Sequence, residues 1–382
     1  MSGLLRPGAH RAAGIADDTA VLAALLRVEV AWARALAAAG LATDAQAAKV
    51  AEAAAGLDVD LPALAVAAEA AGNPVVPLVE LLRDAAGDAA GAVHRGLTSQ
   101  DVVDTALVLL ARDAVARVRT DLLAAGDALA ALARTHRDDI AVARTLTQWA
   151  VPTTFGLRAA QWLAGVDDAV ARIDGLTFPV QYGGAAGTRA LLTGAESGSA
   201  LAADLGLEAA ALPWHTRRAT VTAIGDALAT ATDALGVVAA DVLVLGRPEV
   251  AEVREGAVVG RGGSSTMPHK QNPVLSVLVH AAAQQAPGLA AQLHLSAAGA
   301  VDERPDGAWH AEWPVVARLL ELAVTAASQA AELVAGLRVD TAAMAARVDV
   351  ATATGSLDER GGVGDAGRLV DIAITRWEET RG

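Results

Sequence analysis

The sequence predicts an all-α fold built around a bundle of long helices, and three observations favour this class. The 382 residues are 53% hydrophobic, and the apolar content is mostly Ala, Val and Leu, with one Tyr and two Phe. Ala and Leu are strong helix formers, and small side chains let helix axes approach closely. No strand-like alternation stands out. From Thr98 to about His136, apolar residues recur at steps of three and four, which predicts a helix of roughly 55 Å.

The other predicted helices follow the same spacing along the chain. The first runs from Asp17, which can cap it, to Ala39, and Gly40 ends it. Residues 41–97 contain several prolines and are predicted to be rich in loops. Further helices are predicted at residues 154–173, 188–205, 216–245, 273–295, 309–337 and 364–377.

These elements predict three domains. Residues 1–98 form an N-terminal helical domain, residues 99–340 a central domain of long bundled helices, and residues 341–382 a short C-terminal helical segment. Gly-rich breaks at residues 183–187 and 260–263 interrupt the central domain.

Composition and charge exclude several classes of protein. There is no cysteine, which excludes disulfides and thiolate chemistry, and no group of residues has metal-ligand spacing. We therefore expect neither a metal nor another cofactor. The net charge of −14 argues against nucleic acid as a partner. The N-terminus lacks the apolar core of a signal peptide, and no apolar run free of charges reaches membrane-spanning length, so we expect a cytoplasmic protein without a membrane partner.

One Gly-rich segment collects residue types that are rare elsewhere in the chain. Only Lys49 and Lys270 are lysine, and only Asn73 and Asn272 are asparagine. The segment GRGGSSTMPHKQNP, residues 260–273, holds one of each, together with one of the three methionines. A flexible linker would have collected the Arg, Ala and Gly that fill the rest of the sequence. The segment is therefore predicted to be functional.

This segment resembles the signature loop of the fumarase/aspartase superfamily, whose pattern is GSS-x-MP-x-K-x-NP. The resemblance implies that Ser264 is the catalytic base acting on a carbon acid, and that Lys270 and Asn272 support the substrate and the intermediate. Serine is a poor base, so Lys270 and backbone N–H groups are needed to stabilise its alkoxide. The same loop supplies further candidate substrate-binding residues: Arg261, Ser265 and Met267.

The segment HRGLTSQD, residues 94–101, precedes and opens the long predicted helix. Thr98 and Asp101 have the spacing of a capping box, and on its own that pattern indicates only a helix start. The segment resembles the H-x-G-x-TSxD region with which the superfamily binds substrate. A helix N-terminus with free N–H groups suits a carboxylate. The resemblance implies a catalytic His94 and substrate contacts from Thr98 and Ser99.

A third segment, RTLTQWAVPTT at residues 144–154, is similar to the superfamily's R-T-x-x-Q-H-A-x-P-T stretch. Arg144, Gln148 and Trp149 are the candidate substrate-binding residues here. The histidine usual in the family is replaced by Trp149. In the lyases that histidine helps to protonate the leaving group. This departure indicates either lost activity or a reaction that does not need the acid.

Two further segments resemble the muconate cycloisomerase branch of the superfamily: LPWHTRR at residues 212–218, and DERP with WHAEW at residues 302–313. Alone, such tryptophans and histidines are usually core residues, but their order along the chain follows the branch. The resemblance covers residues 15 to 335. It adds His215 and Arg304 as substrate-binding candidates, with Arg261, Lys270 and Arg304 offsetting the charge of a tricarboxylate.

The branch implies intramolecular lactonisation of 3-carboxy-cis,cis-muconate to 4-carboxymuconolactone in protocatechuate breakdown. The superfamily implies a homotetramer whose active sites are shared between subunits. Two alternatives stay open. One is a C–N lyase similar to adenylosuccinate lyase, and the other is a non-catalytic relative that keeps the fold. Trp149 favours the second alternative, whereas the intact Ser264, Lys270 and Asn272 oppose it.

Overall fold

The computed structural model of the protein describes residues 3–193, 196–264, 266–267, 270–358 and 360–381. Most of this part of the chain is helical. The α-helices are α1 (Asp18–Ala38), α2 (Asp44–Gly56), α3 (Leu61–Ala71), α4 (Val75–Ala86), α5 (Ser99–Thr135), α6 (Phe155–Asp174), α7 (Glu196–Leu205), α8 (Ala219–Leu245), α9 (Val274–Ala298), α10 (Gly307–Ala335), α11 (Thr341–Ala353) and α12 (Ala366–Arg381). The strands are β1 (Ile140–Thr145), β2 (Gln148–Thr154), β3 (Val253–Arg254) and β4 (Arg338–Val339), and short 3₁₀ segments lie at Ala9–Ala12 and Gly87–Ala92.

The long helix predicted from the sequence is α5, and it has 37 residues. Thr98 is its N-cap in extended conformation, and the Asp101 side chain accepts a hydrogen bond from the Thr98 N–H at 3.0 Å, as the capping-box spacing predicts. The helix packs against α6 and α10, and α8 and α9 complete the bundle. The predicted all-α fold with a central bundle of long helices is confirmed.

Small residues set the helix spacing inside this bundle. A Cβ placed on Gly236 of α8 would lie 2.4 Å from the Cβ of Ala283 on α9, and one on Gly225 would lie 2.6 Å from Leu293. Real Cβ atoms do not approach so closely, so these two glycines let α8 and α9 run in direct contact. The Ala- and Gly-rich composition therefore determines how tightly the bundle packs.

The prediction of loops between residues 41 and 97 is wrong, because this stretch forms α2, α3 and α4. Pro62 lies in the first turn of α3, and Pro74 is the N-cap of α4. A proline at the start of a helix costs little, since the N–H it lacks would have no partner there. These prolines begin helices instead of ending them.

A second difference lies between residues 188 and 205, where a continuous helix was predicted. The structure begins α7 only at Glu196. Arg189 has a positive φ of 51°, and its guanidinium donates to the carbonyl oxygens of Tyr182, Ala210 and Ala211. These contacts turn the chain away from helical geometry before α7.

The strands were not predicted from the sequence. β1 and β2 form an antiparallel hairpin with a register shift between Val142 and Arg144, and β3 pairs with β4 over two residues each. The turn of the hairpin is Leu146-Thr147, with φ of 49° and 74°. Such turns usually contain Asn or Gly, so the sequence carries no hairpin signal at this point.

The C-terminal helices pack on the side of the bundle. α11 contacts β1, and α12 lies on α5 and α6. Trp377 of α12 packs over Gly126, and its indole N–H donates to Asp127 at 3.0 Å. Gly126 is 27 residues from Ser99, or about 40 Å along α5. Within one chain, α12 therefore does not cover the N-terminal end of α5.

Two helices, α8 and α9, are long and apolar enough to cross a membrane by length and composition alone. α9 carries no Asp, Glu, Lys or Arg over its 25 residues, contrary to the expectation that no such run exists. Both helices pack against each other and against α10. α8 has the composition of a buried core helix, whereas only 33% of the most apolar stretch of α9 is buried within this chain.

Candidate active site

The turn before α5 carries the first set of predicted site residues. His94 has a positive φ of 58°, and Gly96 follows with 79°. The Nδ1 atom of His94 lies 2.6 Å from Oε1 of Glu29 on α1. Thr98 is buried and Ser99 is half-buried at the first turn of α5, where the free N–H groups of the helix are located.

Asp101 joins this turn to the Gly-rich break at residues 183–187. Its carboxylate accepts hydrogen bonds from the N–H groups of Gly183 and Gly184, both at 2.9 Å, and lies 2.8 Å from Nε2 of His215. A Cβ on Gly183 would lie 2.6 Å from the His215 ring, so only glycine fits there. His215, predicted to bind substrate, is 3% exposed and faces Asp101. Its Nδ1 has no hydrogen-bond partner among the described residues.

One turn along α5, Asp104 is the centre of a buried ionic network that the sequence did not reveal. Arg218 donates to Asp104 at 2.7 and 2.9 Å and also forms an ion pair with Glu312 at 2.5 Å. The indole N–H of Trp309 donates to Asp104 at 2.9 Å. The LPWHTRR and WHAEW segments therefore meet at α5, where Trp309, Arg218 and Glu312 form part of the core.

In this network burial and ion pairing have opposite effects on each pKa, and the pKa values of both Glu312 and Arg218 lie above their usual values. Burial raises the pKa of the Glu312 carboxyl, and the Arg218 guanidinium only partly offsets that effect. Burial also lowers the pKa of Arg218, but the adjacent charges of Asp104 and Glu312 outweigh it and raise the value above that of free arginine. One cation thus faces two carboxylates that are almost completely shielded from water.

The β1–β2 hairpin carries the second predicted set. Arg144 reaches the buried Glu252 with both terminal nitrogens, at 2.6 and 3.2 Å. Trp149 lies opposite Arg144 in the ladder and is half-buried. Gln148 is exposed beside the turn, and its amide donates to the Thr147 hydroxyl. Arg144 thus anchors the hairpin, while Gln148 faces solvent at its exposed tip.

The Gly-rich loop between β3 and α9 carries the third set. Oγ of Ser264 lies 3.2 Å from the N–H of Met267 and 3.4 Å from that of Thr266, so two backbone donors face the hydroxyl. The Lys270 side chain is exposed and forms no hydrogen bond or ion pair to any described residue, while its backbone N–H donates to the Met267 carbonyl. The predicted residue Ser265 lies outside the described residues.

Two contacts close the base of this loop. The N–H and side-chain amide of Asn272 both donate to the Gly262 carbonyl, at 2.8 and 3.0 Å. Glu255 accepts from the N–H and hydroxyl of Ser276 in the first turn of α9, at 2.7 and 2.6 Å. Asn272, predicted to support substrate, therefore also holds the shape of the loop.

The two remaining predicted cations, Arg261 and Arg304, differ in whether their charge is paired. Arg261 forms an ion pair with Glu332 of α10, which also binds Arg11. Hydrogen bonds from Arg11 and Arg261 lower the pKa of Glu332. Arg304 is exposed, with no hydrogen bond or ion pair to a described residue. Lys270 and Arg304 are thus the two predicted cations with unpaired charges in the described part of the chain.

Among the described residues, the three sets, at residues 94–101, 144–154 and 260–273, share no hydrogen bond or ion pair with one another. In the described ranges no cluster of His, Asp and Glu could hold a metal ion. Each set is built locally, on the α5 turn, the hairpin and the Gly-rich loop respectively.

Comparisons with known proteins agree with this architecture. A family model described as Lyase matches residues 12–288. The chain is 46% identical over 368 residues to nitrosuccinate lyase from Streptomyces davaonensis. This match covers 91% of the chain and 77% of the relative. It is 40% identical over 392 residues to 3-carboxy-cis,cis-muconate cycloisomerase from Bradyrhizobium diazoefficiens, covering 98% of this chain and 86% of the relative.

A solved structure gives the same result for the fold. The crystal structure of 3-carboxy-cis,cis-muconate lactonizing enzyme from Pseudomonas putida superposes with a TM-score of 0.88 at 28% identity, covering all of both chains. The fold, the signature loop and these relatives together identify an enzyme of lyase or isomerase type. The chain belongs to the lyase family of the fumarase/aspartase superfamily.

Proposed function

We propose that this enzyme is a cycloisomerase that closes 3-carboxy-cis,cis-muconate to 4-carboxymuconolactone. The observation that carries the proposal is Trp149, which lies on the hairpin where lyases of this superfamily use histidine, in a chain that retains Ser264 and Lys270. An indole cannot protonate a leaving group. The reaction must therefore be one whose leaving group departs as a stable anion.

Lactonisation meets this requirement. A substrate carboxylate, already ionised, forms the new C–O bond with one alkene carbon, and the electron pair moves to the neighbouring carbon beside another carboxylate. That carbon takes a proton from the Ser264 hydroxyl. The Thr266 and Met267 N–H groups and Lys270 then stabilise the resulting alkoxide. In reverse, Ser264 removes the proton and a carboxylate leaves, so no acid is needed at position 149.

Support for this substrate comes from relatives and from charge. Cycloisomerases for 3-carboxy-cis,cis-muconate are 40% and 28% identical to this chain, by sequence and structure comparison respectively. The substrate carries three carboxylates, whereas the protein has a net charge of −14. Lys270 and Arg304, unpaired among the described residues, supply local positive charge against that overall field.

A second candidate, elimination of nitrite from nitrosuccinate, is favoured by the 46% identity to nitrosuccinate lyase. In that reaction Ser264 would remove a proton from carbon, and nitrite would leave as an anion. Trp149 is compatible with this chemistry for the same reason. A C–N lyase similar to adenylosuccinate lyase is disfavoured, because an amine leaving group, unlike nitrite, needs the missing acid.

Substrate assays with the purified enzyme test the proposal. We expect loss of the conjugated-diene absorbance of 3-carboxy-cis,cis-muconate, with formation of the lactone, and no fumarate from adenylosuccinate. Release of nitrite from nitrosuccinate without turnover of the muconate would replace the first candidate by the second. Inactivity toward all three substrates would favour the non-catalytic alternative.

We further propose that the enzyme is a cytoplasmic homotetramer with active sites shared between subunits. Support comes from the three sets of site residues, which share no hydrogen bond or ion pair among the described residues of one chain. It also comes from α9, which contains no Asp, Glu, Lys or Arg. On this helix Val277 is 49% exposed and Leu295 is 68% exposed. An exposed uncharged helix in a bundle gains stability by packing against another copy.

Complementation tests the shared sites. Mixing inactive His94→Ala protein with inactive Ser264→Ala protein under subunit exchange is expected to restore activity to about a quarter of wild type. That fraction follows if subunits reshuffle at random and each site takes these two residues from different chains. Mass measurement checks that the mixture is tetrameric. Absence of recovery despite proven exchange would show that each chain holds a complete site.

A further inference from the structure

Glu29 is a carboxylate in the core of the N-terminal helices. Its exposed fraction is 0%, and its neighbours on α1, Val28 and Trp32, are equally buried. A buried carboxylate is unfavourable unless it is partnered. Its Oε1 lies 2.6 Å from Nδ1 of His94, and its Oε2 has no partner among the described residues. Among the described residues, His94 is therefore the side chain with which this carboxylate is paired.

The same face of α1 makes a second contact with the same turn. Trp32, three residues after Glu29, donates its indole N–H to the Arg95 carbonyl at 2.8 Å. Residues three apart on a helix face the same direction. Helix α1 thus fixes the main chain of the turn through Trp32 and the imidazole ring through Glu29.

The turn itself is strained, which shows that these contacts act on its geometry. A non-glycine residue with positive φ costs about 1–2 kcal/mol, and His94 has φ of 58°. The neighbouring Gly96 takes the same region of conformational space at no such cost. The strain at His94 is offset only if the surrounding structure determines its position.

We propose that Glu29 is a positioning residue for His94. An ionised carboxylate only accepts hydrogen bonds, so Nδ1 of His94 carries a proton and donates it to Glu29. The Nε2 atom is left for the substrate. When a substrate carboxylate binds, the doubly protonated ring donates from Nε2 to the substrate and from Nδ1 to Glu29. The buried carboxylate then balances the charge of the ring.

The inference rests on the proposed function only in taking His94 as a substrate ligand. If Glu29 had only a structural role, its hydrogen bond would hold α1 against the turn. It would then have no influence on which ring nitrogen of His94 carries the proton. The two roles differ in what happens to His94 when Glu29 is changed.

Magic-angle-spinning NMR of ¹⁵N-histidine-labelled full-length protein reads the protonation of His94 directly. The His94 signals are assigned by their loss in His94→Gln. We expect a protonated Nδ1 in wild type, and a doubly protonated ring when the unreactive tricarboxylate tricarballylate is added. Once assigned, the wild-type spectrum tests the proposal without any Glu29 variant, because a proton on Nε2 alone would overturn it.

Variants separate positioning from packing. In Glu29→Leu we expect the Nδ1 proton signature to be lost. We also expect KM for the substrate that wild type turns over to rise roughly 10- to 100-fold, by analogy with the loss of carboxylates that orient metal-binding histidines. kcat is expected to change less. Glu29→Gln, whose amide oxygen still accepts from Nδ1, is expected to keep the signature and to raise KM less than Glu29→Leu does, because only the balancing charge is lost.

Two controls complete the design. Trp32→Phe removes the other contact of α1 with the turn, and we expect lower thermal stability with the His94 signature retained. Glu52→Gln, an exposed change on α2, is expected to match wild type in every measurement. Equal loss of the signature in Trp32→Phe, or unchanged KM in Glu29→Leu, would contradict the proposal. An inactive wild type with the expected spectrum would instead disprove only the proposed function.

Discussion

Replacing Ser264 by alanine is expected to lower kcat by roughly 10²- to 10⁴-fold, the range of general acid–base catalysis. The hydroxyl is the proposed proton carrier, and the N–H groups of Thr266 and Met267 face its oxygen at 3.4 and 3.2 Å. These donors stabilise the alkoxide that forms when the proton leaves. Steady-state kinetics on the substrate identified by the assays measures the effect.

KM should change little in this variant, because the methyl group removes a proton carrier and leaves the binding residues in place. Ser356→Ala, an exposed serine in the C-terminal segment, is the matched control and is expected to keep wild-type kcat. If Ser264→Ala also kept wild-type kcat, Ser264 would have no part in proton transfer. The loop would then serve only to cover the substrate.

Replacing Arg218 by methionine is expected to lower the free energy of unfolding by about 3–5 kcal/mol, the cost of breaking a buried ion pair by removing one partner. The change leaves Asp104 and Glu312 facing each other in the core, each no more than 1% exposed. Urea denaturation at fixed protein concentration measures the difference. Arg217→Met, the exposed neighbour, is the control and is expected to stay within about 0.5 kcal/mol of wild type.

The loss of stability in Arg218→Met should depend on pH. Burial already raises the pKa of Glu312 in wild type, and removing the cation raises it further. A carboxyl whose pKa is raised by folding contributes stability at low pH, and that contribution is lost as the pH rises through the folded-state pKa. The variant should therefore approach wild-type stability as the pH falls toward that of free carboxyl groups. A difference that stayed constant with pH would mean that lost packing, not uncompensated charge, is responsible.

The fold was predicted where helical periodicity is long and uninterrupted. α5 was expected from Thr98 to about His136 and runs from Ser99 to Thr135, because its apolar stripe and its cap both lie in local sequence. Helices α2, α3 and α4 were missed because a proline can begin a helix as well as end one. The hairpin was missed because its turn, Leu146-Thr147, contains neither the Asn nor the Gly that usually marks such a turn.

The candidate site was predicted where rare residues cluster, in the Gly-rich loop, and was missed where single charges lie in apolar helices. Asp104 follows Val103 on α5, and Glu29 follows Val28 on α1. A single carboxylate within an apolar helix face predicts a buried partner, but local sequence does not predict which residue that partner is. Arg218 and Glu312 are 94 residues apart and meet only in the folded chain.

The uncharged helix α9 has a consequence for handling the enzyme. Only 33% of the most apolar 18-residue stretch of α9 is buried within the chain. An assembly formed through α9 would therefore depend on the removal of apolar surface from water. That driving force is mostly entropic near room temperature and weakens on cooling. Subunit association would thus resist high salt, which screens only charges, yet loosen in the cold. Dilute enzyme kept on ice would lose activity through dissociation and regain it on warming.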